Sequence, residues 1–453
     1  MKRLIKTLKN IWEIEELRKR ILLTLGLVFV YRVGAFVVLP GVVPSKISAG
    51  NPDNPGDLLQ IINIFTGGAF QAASIFALGI MPYITASIIV QVLGFAVPYF
   101  QRLQTKEGES GRKKINQITR LLTVFITLAQ GTAYLTMIAR QGAVDPNVGQ
   151  GTFWFSGIVI LTTGTIFAMW LGERITERGI GNGVSLLILI GIIARLPQAF
   201  VAEFTSKIGG SGSGLIGLIL EMVFLFLVVL AAVMITQAVR RIPIQYAKKM
   251  VGRTSTNMPL AGVRDFIPVK LNASGVMPII FAQALMILPT MLGRTVAGSS
   301  NALVIALGDF TSIPYNVIYF ILIVIFTYVY TALIVNPKDY ADYLKRQNAF
   351  IPGVKPGSAT AEFIDRIVSR ITLPGAIMLG IIAIMPAFAS TFGVSRSFAY
   401  FFGGTSLLIL VGVALDTLQQ IESYLLMKKY DGLIKSGKLQ GRSGGIQGIG
   451  ASM

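Results

Sequence analysis

The chain has 453 residues, of which 53% are hydrophobic and 13% charged, about half the charged share of a soluble protein. It contains neither cysteine nor histidine, which excludes disulfides, thiol or imidazole catalysis and the usual zinc ligand sets. No phosphate-binding G-x-x-x-x-G-K-[ST] loop occurs, since Gly437-Lys438 is followed by Leu439, so any nucleotide energy must come from a partner; the net charge of +19 needs a topological explanation.

In chain order, Ile11–Arg20 is amphipathic and charged, and the apolar run after it lacks a small-residue cleavage pattern. It reads as an interfacial helix leading into a permanent span. Apolar runs long enough to cross a bilayer lie near Ile21–Leu39, Ser74–Pro98, Leu121–Ala139, Phe153–Gly172 and Gly183–Ala202. Five more follow, near Gly214–Gln237, Ala273–Leu292, Pro314–Val335, Thr372–Phe392 and Phe398–Leu418. A shorter apolar piece, Leu58–Ala72, is broken by Gly67-Gly68 and reads as re-entrant, which is tolerated only where protein or a water cavity surrounds it.

Charge sets the orientation. With both termini and every second loop on one side, that side carries 33 of the 40 Lys and Arg residues against 14 acidic ones, a net +19. The opposite side carries five basic residues (Lys46, Arg140, Lys207, Arg294, Arg396) and five acidic ones. The positive-inside rule makes the basic side cytoplasmic, and ten spans return both termini to it. Five spans precede the turn Gly209–Gly214 and five follow, so the second set runs inverted to the first, as in proteins that enclose a central site or path. The expected fold is an all-α membrane protein of ten transmembrane helices in two inverted halves. Two long basic loops, 238–272 and 336–371, face the cytoplasm.

Four ionisable residues fall inside spans: Arg32, Arg195, Glu221 and Asp416. Such residues are functional candidates, although all but Arg32 lie within snorkelling reach of a span end. They form no acidic pair or proton relay. In the second span, Ile80 and Ile84 share a helical face, Ser87 and Gln91 continue it toward the cytoplasm, and Ile89 points the opposite way. That face suits a pore wall with an apolar constriction above a wet vestibule; it equally suits a helix contact with Ser87 and Gln91 bonding across it. Pro82, read as mid-span, and Gly79 would let the helix flex. The charged loop Glu173–Gly183 ends in glycines, and Asn182 is placed to cap the fifth span, where Val184 and Ile188 are i,i+4 partners.

At these residues the chain resembles the SecY family, the channel subunit of the general secretion translocon. The resemblance runs over about residues 10–440 and is carried by Ser74–Leu93, by Trp170–Ile188, and by Lys106–Arg112. It continues in Arg240-Arg241 with Tyr246-Ala-Lys248, in Tyr330–Leu333 with Asn336-Pro337, and in Phe402–Leu408. The resemblance implies an hourglass pore with an apolar ring of Ile80, Ile84, Val184, Ile188, Ile280 and Ile409. It further implies a plug at residues 58–73, including Ile64, Phe65, Gly67, Gly68 and Phe70. A lateral gate would lie between the second and seventh spans, with Ser87, Gln91 and Gln283 as its polar residues. Depth along the sequence sets Val184 too near the cytoplasmic end for a waist unless the fifth helix begins deep in the funnel.

The implied organisation is an N-terminal segment (1–20), a first half (21–205), a second half (206–420) and a cytoplasmic tail (421–453). The implied role is conduction of unfolded secretory polypeptides across the bacterial cytoplasmic membrane, with lateral release of hydrophobic segments into lipid. No enzymatic activity and no cofactor are expected. The implied partners are SecE- and SecG-like small membrane subunits, a SecA-like motor ATPase, the ribosome through rRNA phosphates, signal peptides, unfolded precursors and membrane lipids. Arg240, Arg241, Lys248 and Lys355 are candidates for cytoplasmic docking. Lys355 stands where the family usually has arginine, keeping the charge without the planar fork. The competing reading is a secondary transporter for a small solute, which ten inverted spans also fit, but for which no intramembrane substrate or ion site is visible.

Overall fold

The computed structural model describes residues 12–47, 63–105, 107–209, 214–246, 264–283, 285–286, 309 and 311–435. The first half comprises α1 (Glu15–Gly34), α2 (Met81–Ala96), the short α3 (Pro98–Thr105), α4 (Gly108–Arg140), α5 (Gln150–Arg178) and α6 (Gly183–Gly209). The second comprises α7 (Gly214–Gln237), α8 (described over 277–283 and 285–286), α9 (Ile313–Ile334), the short α10 (Pro337–Arg346), α11 (Ser358–Thr391) and α12 (Gly404–Lys435). Among the described residues, seven helices are long and apolar enough to cross a membrane, and a shorter apolar one covers Met81–Gly94. With α1, whose first turns carry Glu15, Glu16, Arg18, Lys19 and Arg20, and with the nine described residues of α8, the helices fall in order on the ten expected spans. Helices α7 and α9 display apolar side chains outward, Ile216 and Ile313 being about four-fifths exposed, as lipid-facing surfaces do.

The inverted repeat, invisible residue by residue, is present in the packing. In the first half the third span packs on the fourth, the fourth on the fifth, and the first on both the fourth and the fifth. The corresponding pairs in the second half are α9 with α11, α11 with α12, and α7 with α11 and α12, and all four are in contact. The halves meet along α6, which packs against α7 and α12.

Two expectations change. Pro82 is not mid-helix: α2 begins at Met81, so the proline occupies its first turn, where a missing N–H breaks no helical bond. Residues 74–80 form turns, because their backbone pairs with the segment after α1: Leu39 N–H donates to Ala73 O (2.8 Å) and Ile75 N–H to Val37 O (2.9 Å). Second, the loop expected from Glu173 is helical to Arg178, and α6 runs seven residues past the expected end at Ala202.

On the basic side the two long loops build one small body. Strand β1 (Val239–Tyr246) pairs antiparallel with β2 (Arg264–Lys270), in register from Val239↔Lys270 to Gln245↔Arg264. A two-residue β3 (Ala349–Phe350) adds to the other edge through Gln245↔Phe350 and Tyr246↔Ala349. Ile242, Ile244, Leu344, Ala349, Ile351, Ile364 and Val368 bury together beneath it.

Candidate pore, plug and gate

The six residues proposed for the ring come together. Ile80, Ile188 and Ile409 are buried in one apolar cluster, and Ile84, Val184 and Ile280 pack against it half-buried. They derive from the start of α2, from α6, from α8 and from α12, so both halves contribute. Ile89, on the far face of α2, is exposed, in keeping with its helical phase.

The depth of Val184 is explained by the path of the chain. The segment after Arg178 turns back along α5, and α6 starts beside Gly172, where a Cβ on Gly183 would collide with the Gly172 carbonyl. Gly172 lies six residues before the end of α5, so α6 begins roughly 9 Å up that helix. The returning backbone is held by side chains from three helices. Ile180 N–H donates to Thr24 Oγ1 (3.2 Å), Gly181 N–H to Gln420 Oε1 (2.8 Å) and Gly183 N–H to Thr176 Oγ1 (2.8 Å). Asn182 caps as expected, its Oδ1 accepting from Ser185 N–H (3.3 Å). A Cβ built on Gly172 would lie 3.3 Å from Ile80 Cδ1 and 3.2 Å from Val184 Cγ2, so this narrow point of α5 brings the two ring residues to one level.

The re-entrant segment sits on this cluster. Phe65 is buried within it and Ile64 packs against it. From Asn63 the chain makes one helical turn and then a run of turns closed on itself: Gly68 N–H donates to Asn63 O (2.8 Å), Gln71 N–H to Asn63 Oδ1 (3.1 Å) and Ser74 N–H to Ala69 O (3.0 Å). Phe70 packs in a neighbouring cluster, and its carbonyl accepts from the buried Tyr134 hydroxyl (2.7 Å). Gly67 and Gly68 both have positive φ (64° and 95°), a conformation that side-chain-bearing residues avoid. A Cβ on either would also run into a guanidinium, of Arg32 at Gly67 and of Arg195 at Gly68.

Those guanidiniums were not legible as plug contacts. Arg32, on α1, donates to Gly67 O (3.3 Å). Arg195, on α6, donates through Nη2 to both Asn63 Oδ1 and Gln71 Oε1 (3.2 Å each) and through Nη1 to Gln198 Oε1 (3.2 Å). Arg195 therefore turns inward rather than snorkelling. Glu221 is likewise buried, in an ion pair with Lys207, whereas Asp416 is exposed. Lys207 and Glu203, counted from sequence as charges of an outer loop, are buried on the last turns of α6.

At the expected gate, Gln91 Nε2 donates to Ser87 Oγ (3.3 Å), and the Tyr330 hydroxyl of α9 donates to Gln91 Oε1 (3.4 Å). Beside them Ile88 of α2, Phe281 of α8 and Tyr330 bury one another, with Phe281 5.1 Å from the Tyr330 ring and 5.6 Å from Phe326. In the sequence Tyr330 stands out only as part of the Tyr330–Leu333 motif, and no spacing rule points it at Gln91. Gln283 lies apart from this group: it lines a cavity of about 50 Å³ with Ile64, Tyr315 and Tyr319. On the basic side Arg240 and Arg241 are exposed on β1, with Arg241 stacked 4.8 Å from the Phe266 ring centroid, and Lys355 is exposed at the turn before α11. Lys248 lies outside the described residues.

Comparison with known proteins gives the family and the fold. The SecY family model matches residues 74–418. Protein translocase subunit SecY of Mycobacterium tuberculosis is 40% identical over 440 residues, covering 93% of this chain and 97% of the relative. Its counterpart from Thermus thermophilus is 42% identical over 450 residues, covering 96% and 100%. Among solved structures, one described as a protein conducting channel superposes with a TM-score of 0.60 at 18% identity, over 93% of this chain and 95% of that one. Sec61 in the canine ribosome–channel complex from the endoplasmic reticulum superposes at 0.57 with 17% identity, over 93% and 95%. Matched along nearly its whole length in sequence and in fold, the chain belongs to the SecY family.

Proposed function

We propose that this protein is the pore-forming subunit of a Sec translocon, passing unfolded polypeptides through its centre and releasing apolar segments sideways into lipid. It is a conduit, not an enzyme. The observation that carries the reading is the ring: six branched apolar side chains from both halves meet in one cluster that also takes in Phe65 and Ile64 of the plug. Branched apolar side chains can seal by excluding water and still yield to an extended chain, because they hold no group that binds one sequence above another.

The contact of α2 with Phe281 and Tyr330 supports a lateral gate there, with Ser87 and Gln91 as its polar edge, while Gln283 lines the cavity beside Ile64. An apolar signal segment that binds between these helices shifts the population toward the open form. The +19 side faces the cytoplasm of a bacterial inner membrane. There the β1–β2 hairpin and the Lys355 turn form the docking surface, for ribosomal phosphates or for a SecA-like motor. The lipid-facing helices leave room for SecE- and SecG-like subunits.

The test uses the absence of native cysteine. A cysteine at Ile84 and another at Ile89 are each challenged with a secretory precursor arrested in transit and carrying its own cysteine. Adducts at position 84 and none at 89 are expected. Equal adducts at both positions, or none at 84 from an engaged precursor, would refute the ring.

A further inference from the structure

The seam between the halves contains a buried charge cluster that the pore does not use. Glu203 and Lys207 stand one turn apart near the end of α6, and Glu221 lies about two turns into α7. Lys207 Nζ is 2.7 Å from Glu221 Oε1 and 3.7 Å from Glu203 Oε1, and it donates to the carbonyl of Gly393 (2.9 Å). Ser395 N–H donates to Glu203 Oε2 (3.0 Å). The three side chains are 1–9% exposed.

Two carboxylates share one ammonium here, so the fully ionised cluster carries one excess negative charge in a low-dielectric setting. Burying an uncompensated charge is strongly unfavourable, and such groups take up a proton instead. Two carboxylate oxygens, Glu203 Oε1 and Glu221 Oε2, and the hydroxyl of Ser395 are buried without a hydrogen-bond partner. Both carboxyl groups lie against the same ammonium, so their charges are near enough to repel, and one bound proton relieves that repulsion. From α6 the cluster is faced by Glu203 and Lys207, from α7 by Glu221, and from the 393–395 segment by backbone groups and Ser395. Among the described residues no other titratable side chain enters it; the next charge in sequence is Arg396.

We propose that the buried Glu203–Lys207–Glu221 cluster holds one exchangeable proton, which makes the end of the α6–α7 seam remote from the basic face a proton-binding site. The protonated cluster is neutral and holds the seam dry. Loss of the proton leaves a net negative charge between the halves and favours hydration and loosening of the seam, so alkaline conditions on that side weaken it and acid conditions strengthen it. The proton site does not depend on the conduit reading.

Infrared difference spectroscopy on the full-length protein in lipid tests the site directly. Near pH 7 an unperturbed glutamate is ionised. The protein should nevertheless show the carbonyl-stretch band of one protonated carboxyl per chain, shifted by deuterium exchange. Glu221→Gln or Glu203→Gln should remove it, and Asp416→Asn should not. The wild-type spectrum alone suffices to decide against the proposal if a Gln variant fails to fold: absence of any protonated-carboxyl band at that pH would overturn it. A band that persists undiminished in both Gln variants would overturn it equally.

Discussion

Replacing Arg195 with glutamine should loosen the plug without touching the ring. The side chain makes two hydrogen bonds to the plug, to Asn63 Oδ1 and Gln71 Oε1. Bonds to a charged donor contribute about 1.5–3 kcal/mol in favourable cases. These two share one nitrogen, are 3.2 Å long where about 2.8 Å is usual for charge-assisted pairs, and are partly open to solvent, so about 1 kcal/mol each is the better figure. Losing about 2 kcal/mol of seating energy raises the ratio of displaced to seated plug roughly 30-fold. The assay is modification of a single cysteine at Thr66, a buried plug position in a chain with no other thiol, by a membrane-impermeant maleimide. Reaction requires the plug to leave, so the labelling rate reports its displaced population. Arg195→Gln should speed labelling about 30-fold over the Thr66→Cys background, with Arg195→Lys, which keeps charge but not the fork, falling between. A rate within about twofold of background, the usual error of additivity, would refute the idea that the arginine seats the plug.

At the gate, Phe281→Ala removes the ring shared with Tyr330 and Phe326. Lipid can refill part of the space, so the closed contact should lose about 1–2 kcal/mol, and export of a precursor with a defective signal should rise about tenfold. Tyr330→Phe gives up only a 3.4 Å hydrogen bond, about 0.5 kcal/mol, and should raise that export no more than about threefold; equal effects would show that the hydroxyl, not the apolar contact, holds the gate. Asn182→Ala removes the α6 cap at a cost of about 1 kcal/mol and should speed hydrogen exchange at the Ser185 amide about fivefold, while Asn182→Asp should not; an unchanged rate would mean that the Gly181 and Gly183 bonds alone fix the start of the helix.

The spans, their direction and the side that gathers charge are written locally in the chain, as runs of apolar residues and counts of Lys and Arg, and for that reason were readable. The face shared by Ile80 and Ile84 was readable too, since helical phase is local. What closed the ring was the meeting of that face with Ile188, Ile280 and Ile409, contacts that no spacing rule supplies and that only resemblance to a family pointed to. The partners of Arg32 and Arg195 could not be read, because hydrogen bonds to Gly67 and Asn63 join residues 35 and 132 positions apart. The place of Pro82 is hidden for a related reason: whether a proline sits inside a helix or opens one depends on where the helix starts, and here Val37 and Leu39 take up the preceding backbone. Lys207 was assigned to an outer loop because its position suggested one; its burial follows from Glu203, Glu221 and Gly393 converging on it. The β1–β2 pairing was hidden by Pro243 and Pro268, residues that argue against strands, yet they lie near opposite one another in a small solvent-facing ribbon.

The chain's turn-back after Arg178 has an electrical consequence. Because α6 starts well inside the bundle, Val184 lies at the level of Ile80, and in the pore proposed above the ring that parts the two vestibules is about one helical turn thick, roughly 6 Å from Ile80 to Ile84. Water on both sides conducts, so the membrane potential, which elsewhere falls over about 30 Å of hydrocarbon, falls here over that thin septum. The local field is about fivefold steeper than in the surrounding bilayer. A charged residue in a passing polypeptide therefore meets the whole potential, about 2.3 kcal/mol per 100 mV, within the length of one or two residues. The septum thus acts on a moving chain as a single voltage step.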